Sequence, residues 1–405
     1  MKLSRLACAI NESPTLKLSA EADRLKAQGK PVIHLGIGEP KNTAPPQSIS
    51  SSIEKLKTGM VKYGPTDGLP SLKNAIIQYT EENYGQKVQT GNIIVTNGAK
   101  HSLVNVLYAI VEPGDEVILL APYWVSYPEM VKLVGGKPVV VPPEDGTFIH
   151  NLKGIEQAIN TNIRAIIMNS PNNPSGAVYS NSFVSDLVGF CEEKKIYLIA
   201  DDIYHKLVFD GIEAPSVYSF TEKDIDDSYM IVVNGVSKMY GMTGFRIGWT
   251  VASRKLIEVM TKIQSQVTSC PSIISQVAAE GALNGDQSVV EELRLKIQKN
   301  RDVVMEKMSE FPDVHLIKPT GTFYALPDFR AYNSNSHELA EFILKKALVV
   351  TIPGSDFGME GHLRISFAGN EMDVAEGIER MRWALDPNYP DEILIGEKKI
   401  KRDWI

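Results

Sequence analysis

Lys238 stands in the stretch Asn234-Gly235-Val236-Ser237-Lys238-Met239-Tyr240-Gly241-Met242-Thr243-Gly244-Phe245-Arg246, between apolar runs at 229–233 and 246–252. Runs of that composition read as buried strands, so Lys238 falls in a turn near the protein interior. An amine short of water has a lowered pKa, and more of it is the neutral form that attacks a carbonyl. Arg246, farther along the same stretch, carries a permanent fork-shaped charge that suits a phosphate. A solvated loop lysine and a surface ion pair are the plainer reading of the same residues.

Other strand ends carry chemistry of their own. Apolar runs at 93–96, 117–121, 138–141, 164–169, 196–201, 229–233 and 246–252 alternate with helical stretches. Runs apolar on both faces with helices between them predict a seven-stranded, mostly parallel sheet flanked by helices. Ligands of such sheets gather beyond the carboxyl ends of the strands. After the first run, Asn97-Gly98-Ala99-Lys100 opens an apolar helix that reaches about residue 111 and offers backbone N–H groups to an anion. Pro122-Tyr123-Trp124 follows the second run, and Ser170-Pro171-Asn172-Asn173-Pro174-Ser175-Gly176 the fourth. Asp201-Asp202-Ile203-Tyr204 follows the fifth, where a carboxylate ending an apolar strand needs a partner. Singly these are a helix start, a core aromatic, a turn and an ion pair. Together, with Lys238 after the sixth run, they aim five groups at one edge of one sheet.

The rest of the chain bounds what that edge serves. It has 405 residues, 43% hydrophobic and 22% charged, enough for a large core and two or three domains. A net charge of −7 argues against nucleic acid as a partner. Cys8, Cys191 and Cys270 match no metal spacing and no disulfide framework, which fits a reducing cytoplasm. No run has the length of a signal peptide's apolar region or of a membrane span. Residues 1–30 read as an arm and a helix over 16–28, closed by Gly29. The glycine turn His34-Leu35-Gly36-Ile37-Gly38-Glu39-Pro40 is no dinucleotide fingerprint, because Lys41 stands where a third glycine belongs. Beyond about residue 264 the pattern turns helical, with a long polar helix over 288–311. Pro319-Thr320-Gly321-Thr322-Phe323-Tyr324, Pro353-Gly354-Ser355-Asp356-Phe357-Gly358 and Leu363-Arg364-Ile365-Ser366-Phe367 follow. An arginine in a strand is most simply an ion pair. The basic cluster at 398–402 reads as a solvated end.

The segment around Lys238, Pro122-Tyr123-Trp124-Val125-Ser126-Tyr127-Pro128, Ser170 to Gly176, Gly38-Glu39-Pro40 and the strand around Arg364 resemble, in order and spacing, the class I aminotransferases. These are pyridoxal-phosphate enzymes of fold type I, and the resemblance covers roughly residues 10 to 385. It implies an α/β large domain over 46–287 and a smaller α+β domain over 288–405, with 1–45 as an arm and part of the small domain. It makes Lys238 the covalent attachment point of pyridoxal phosphate and the residue that moves the substrate proton. Asp201 is set against the pyridine nitrogen, Tyr204 and Asn173 on the phenolic oxygen, and Trp124 on the ring. Gly98, Ala99, Lys100, Ser237 and Arg246 are assigned to the cofactor, and Tyr63 reaches it from the partner subunit of a homodimer. Gly38, Trp124, Asn173 and Arg364 are assigned to the substrate, Arg364 as the clamp on its α-carboxylate.

The substrates implied are an L-amino acid, aspartate or glutamate, and a 2-oxo acid such as 2-oxoglutarate, in a ping-pong exchange. Lys100 matches a lysine by which one bacterial aspartate subgroup, some of whose members also use prephenate, sets specificity. Other amino-acid aminotransferases (aromatic, alanine or prephenate) and a β-lyase share the same machinery. A cofactor-binding regulator would need an added helix-turn-helix domain, for which neither end of the chain has room. Many relatives carry serine three residues before the lysine, where this chain has Gly235. The resemblance ends near Pro387.

Overall fold

The computed structural model describes residues 3–12 and 14–404; Met1, Lys2, Ser13 and Ile405, which include part of the expected arm, lie outside it. Helices α1 (Arg5–Cys8) and α2 (Pro14–Ala27) precede β1 (Ile33–His34). Helices α3 (Pro46–Lys57) and α4 (Pro70–Tyr84) lead into β2 (Ile93–Thr96), α5 (Ala99–Ile110), β3 (Glu116–Leu120), α6 (Ser126–Leu133) and β4 (Lys137–Val141). Then come α7 (Leu152–Ala158), β5 (Ile163–Asn169), α8 (Asn181–Lys194), β6 (Tyr197–Asp201), β7 (Met230–Gly235) and β8 (Gly248–Val251). All seven expected strands join one sheet in the order β2-β8-β7-β6-β5-β3-β4. Pairs among β3 to β7 are parallel, and only β8 runs antiparallel to both of its neighbours.

The burial pattern explains why these strands read as unbroken apolar runs. Ile118, Ile166, Leu198 and Val232 face one core, while Val117, Ile167, Ile199 and Val233 face another on the opposite side. A strand covered on both faces has no position left for a solvated residue. Crossover helices on both faces also align every parallel strand's carboxyl end along one edge.

Helices α9 (Arg254–Val267) and α10 (Ile273–Leu283) still pack on the cores of the large sheet. A separate core is enclosed by the elements that follow: α11 (Ser288–Ser309), β9 (Tyr324–Ala325), α12 (Ser336–Ala347), β10 (Val349–Val350), β11 (Ile352–Pro353), β12 (Leu363–Ser366) and α13 (Glu371–Leu385). Strands β11, β12 and β9 form an antiparallel sheet, and β1 pairs in parallel with β10. Phe323, Phe329, Phe367 and Trp383 centre this core. Ala22 and Leu25 seat α2 against Leu344 and Val350 at its flank.

The tail corrects the expectation of a solvated end at Arg402, while Lys398, Lys399 and Lys401 are exposed as expected. Residues 392–401 form a hairpin, β13 (Glu392–Ile395) and β14 (Lys398–Lys401), turned through Gly396 at φ +61°. Beyond it Arg402 is only 7% exposed. Its guanidinium donates to the carbonyls of Trp383 (3.0 Å), Asp386 (2.6 Å), Pro387 (2.9 Å) and Tyr389, at the end of α13. A helix leaves its last carbonyls without intrahelical partners, and a guanidinium with five donors meets that need. Trp404 packs edge-on against Trp383, with ring centroids 5.1 Å apart.

Candidate active site

A cavity of about 580 Å³ opens where the carboxyl edge of the large sheet meets the second core. Lys238 lies at its floor, in the turn that leaves β7, and Nζ donates to the Gly38 carbonyl at 2.5 Å. Burial first, then the positive charges of Arg246 and Arg364, bring the Lys238 amine down to about 8, against a raising contribution from Glu39. An appreciable share of it is therefore neutral near physiological pH.

Asp201, the last residue of β6, is 4% exposed. Burial pushes its carboxyl up to about 6, and the Tyr127 hydroxyl, which donates to Oδ2 at 2.6 Å, opposes that push. Asn169, at the adjacent end of β5, donates to the Asp201 carbonyl (2.8 Å) and accepts from the Asn173 N–H (2.8 Å). One amide thus ties the ends of β5 and β6 to the loop that carries Asn173. Asn173 Nδ2 reaches the Tyr204 hydroxyl at 3.4 Å.

Arg364 enters from β12 and is 2% exposed. Nη1 donates to Asn173 Oδ1 (3.1 Å) and Nη2 to the Gly36 carbonyl (2.9 Å), while Nε has no partner among the described residues. The guanidinium lies 4.4 Å from the Tyr324 ring centroid and 5.0 Å from that of Phe357. A buried cation held only by neutral groups calls for an anion.

A second place suited to an anion lies where α5 begins. Gly98 precedes the helix at φ +84°, and no side chain caps the first turn. A Cβ on Gly98 would come within 2.5 Å of Arg246 Nη2, and one on Gly248 within 2.2 Å of the Ala99 nitrogen. The two glycines therefore let an exposed guanidinium and a helix N-terminus converge on one small cup, the arrangement that takes a phosphate. Arg246 keeps its direction through Nη1, which donates to the Thr243 carbonyl at 2.8 Å. Gly235 also gains a reason: a Cβ there would meet the Ile247 carbonyl oxygen at 2.8 Å and Gly248 Cα at 3.0 Å, so β8 lies too close for a serine.

The cavity wall also includes Ala99, Lys100, Trp124, Tyr204, Ser237 and Gly38. Lys100 Nζ lies 4.7 Å above the Trp124 ring. Tyr63 stands apart, 91% exposed and outside its own chain's cavity. Tyr127, Asn169, Gly36 and Tyr324 are site residues that sequence reasoning passed over. Tyr127 and Asn169 sat inside stretches already singled out, but nothing in their types marked a hydrogen bond across the sheet edge.

The sheet topology, the lysine at a strand end and the second core above the edge are those of fold type I. The profile described as "Aminotransferase class I and II" matches residues 30–381, and the chain belongs to that family. The aspartate aminotransferase of Bacillus sp. (strain YM-2) is 39% identical over 381 residues, 92% of this chain and 96% of that protein. The probable aspartate/prephenate aminotransferase of Aquifex aeolicus is 37% identical over 383 residues, 93% of this chain and 97% of that one. Among solved structures, the aspartate aminotransferase from Thermus thermophilus with maleate superposes at a TM-score of 0.90 and 35% identity, covering 95% of this chain and all of that one. The protein is an aminotransferase. No helix among the described residues is long and apolar enough to cross a membrane.

Proposed function

We propose that the protein transfers the amino group of L-aspartate or L-glutamate to a 2-oxo acid such as 2-oxoglutarate, in ping-pong fashion, with pyridoxal phosphate as cofactor. The observation that carries this reading is a buried, unpaired Arg364 facing the same cavity as a lysine of lowered pKa. The names of the relatives point to the same substrates.

The residues present fit pyridoxal phosphate. The Gly98–Arg246 cup suits its phosphate, and buried Asp201 suits its ring nitrogen. Asn173 and Tyr204 would hold the phenolic oxygen, Trp124 would stack on the ring, and Ser237 would flank the attachment point. Bound there, the cofactor supplies a reactive carbonyl carbon and an electron-accepting ring. The chain's own groups do the rest. Tyr127 keeps Asp201 charged against the ring nitrogen, and Arg364 holds the substrate α-carboxylate by parallel N–H···O bonds. Gly38 lies beside that carboxylate. Lys238 Nζ removes the proton from substrate Cα and, in the reverse half-reaction, returns one to Cα of the oxo acid. Lys100, at the cavity wall, receives the side-chain carboxylate.

Ile49, Ile53 and Leu56 keep one face of α3 apolar and exposed, and Met60, Val61 and Tyr63 continue it. Such a face supports a homodimer in which Tyr63 reaches the partner's phosphate. The separate cores support boundaries near 46 and 288, and three free cysteines support a reducing cytoplasm.

The test is the visible spectrum of protein loaded with pyridoxal phosphate. Aspartate should bleach the bound cofactor's band, and 2-oxoglutarate should restore it. A band that neither aspartate nor glutamate changes would overturn the substrate assignment. Prephenate in place of 2-oxoglutarate separates the aspartate/prephenate reading.

A further inference from the structure

We propose that His34 is a positioning residue of this active site: its ring fixes the Gly36 carbonyl that receives Arg364 and, through its other nitrogen, holds helix α2 at the cavity mouth. The inference rests on the reading of Arg364 as the carboxylate anchor.

His34 ends β1, directly before the turn that passes under Arg364. The Gly36 N–H donates to His34 Nδ1 at 3.1 Å, and the Gly36 carbonyl accepts Arg364 Nη2 at 2.9 Å. A backbone N–H can only donate, so Nδ1 is the acceptor and the ring proton sits on Nε2. Nε2 lies 3.1 Å from Ser19 Oγ, and with that tautomer it donates to the hydroxyl. The two ring nitrogens therefore join two elements far apart in sequence. Ser19 belongs to α2, whose Thr15, Ser19, Asp23 and Lys26 face the mouth of the cavity. A Cβ on Gly36 would press on His34 Cε1 at 3.1 Å and Ile352 Cδ1 at 2.8 Å, so the turn is packed tightly against the ring.

Burial and the charged groups around the ring favour its neutral form. Burial, Lys26 and Arg364 disfavour an imidazolium, Asp23 and a backbone hydrogen bond favour one, and the balance brings His34 down to about 4. A charged ring would present N–H groups at both nitrogens and lose the bond from Gly36. At working pH His34 thus stays neutral, with Nδ1 accepting from Gly36 and the Nε2 proton directed at Ser19.

The predicted signature is a split between binding and turnover. Arg364 binds carboxylate equally before and during reaction, and loss of such uniform binding raises KM and leaves kcat. In protein loaded with pyridoxal phosphate, His34→Ala should raise the aspartate KM, and the Kd for the unreactive dicarboxylate maleate, about tenfold. Its kcat should stay within about threefold. In His34→Asn, the side-chain Oδ1 can stand in for Nδ1 and accept the Gly36 N–H. That variant should recover most of the affinity. Ser19→Ala, which frees only α2, should give a smaller rise in the same two constants. Unchanged KM and Kd in both His34→Ala and Ser19→Ala would overturn the proposal. So would equal losses in His34→Ala and His34→Asn with kcat falling alongside. If His34→Ala fails to fold, His34→Asn and Ser19→Ala decide, and unchanged constants in both would sink the idea. Wild-type protein that neither binds maleate nor reacts with aspartate would instead refute the reading of Arg364.

Discussion

Tyr127 and Asp201 form the shortest hydrogen bond to a group assigned to the cofactor's ring, 2.6 Å in a buried setting. The hydroxyl opposes the burial that raises the carboxyl to about 6, so its removal must raise that value further. In Tyr127→Phe less of Asp201 is charged at pH 7, and the acid limb of the kcat profile should move to higher pH. Activity at pH 7 should fall roughly ten- to hundredfold, the range for a hydrogen bond to a charged group. Lys100 is tested by selectivity. Lys100→Ala should lower kcat/KM for aspartate by about tenfold or more and leave an apolar amino acid little affected. Equal losses on both would remove Lys100 from specificity. That Lys238, Asp201 and Arg364 line one cavity was legible in the sequence because a charged residue is conspicuous within an apolar strand, at its end or in the turn just after it. Tyr127 and Asn169 were not, because an aromatic in a helix and an amide at a strand end look ordinary until their partners are placed.

At the scale of elements, the approach of β8 to the start of α5 decides how the cup between Gly98 and Arg246 is built, the cup proposed for the phosphate. Gly248→Ala would set a methyl 2.2 Å from the Ala99 nitrogen and force the helix start away from Arg246. Overpacking of this kind amounts to about 1–3 kcal/mol. The affinity for pyridoxal phosphate, read by absorbance titration, should weaken by about tenfold or more. The end of β6 carries a second signature. Burial and then the charge of Asp201 push the Asp202 carboxyl up to about 8. Its folded pKa lies above the ordinary carboxylate value, so the folded state holds the extra proton. That contribution is complete below about pH 4 and is lost as pH rises through about 8. Thermal melts should show Tm falling between pH 5 and pH 8.5, and falling by several degrees less in Asp202→Asn. The sheet was readable because two buried faces leave one kind of residue. The C-terminal hairpin was not, because Arg402 finds its role only in carbonyls left over by α13, and no local pattern announces them.

For the whole molecule, the site is assembled from both ends of the chain. Lys238, Asp201 and the cup between Gly98 and Arg246 belong to the large sheet and its turns, and that part of the cavity can form once the sheet is complete. The bond from Arg364 to Gly36 spans 328 residues, and β1 pairs with β10, far along the chain. Long-range closures of this kind come late in folding. A refolding chain should therefore pass through a stage that takes up pyridoxal phosphate yet cannot turn over aspartate. On dilution from denaturant with the cofactor present, bound-cofactor absorbance should return ahead of enzymatic activity, and simultaneous return would show that the two halves mature together. Turnover would then serve as a proofreading signal for the entire polypeptide, silent until its first strand has met its last domain.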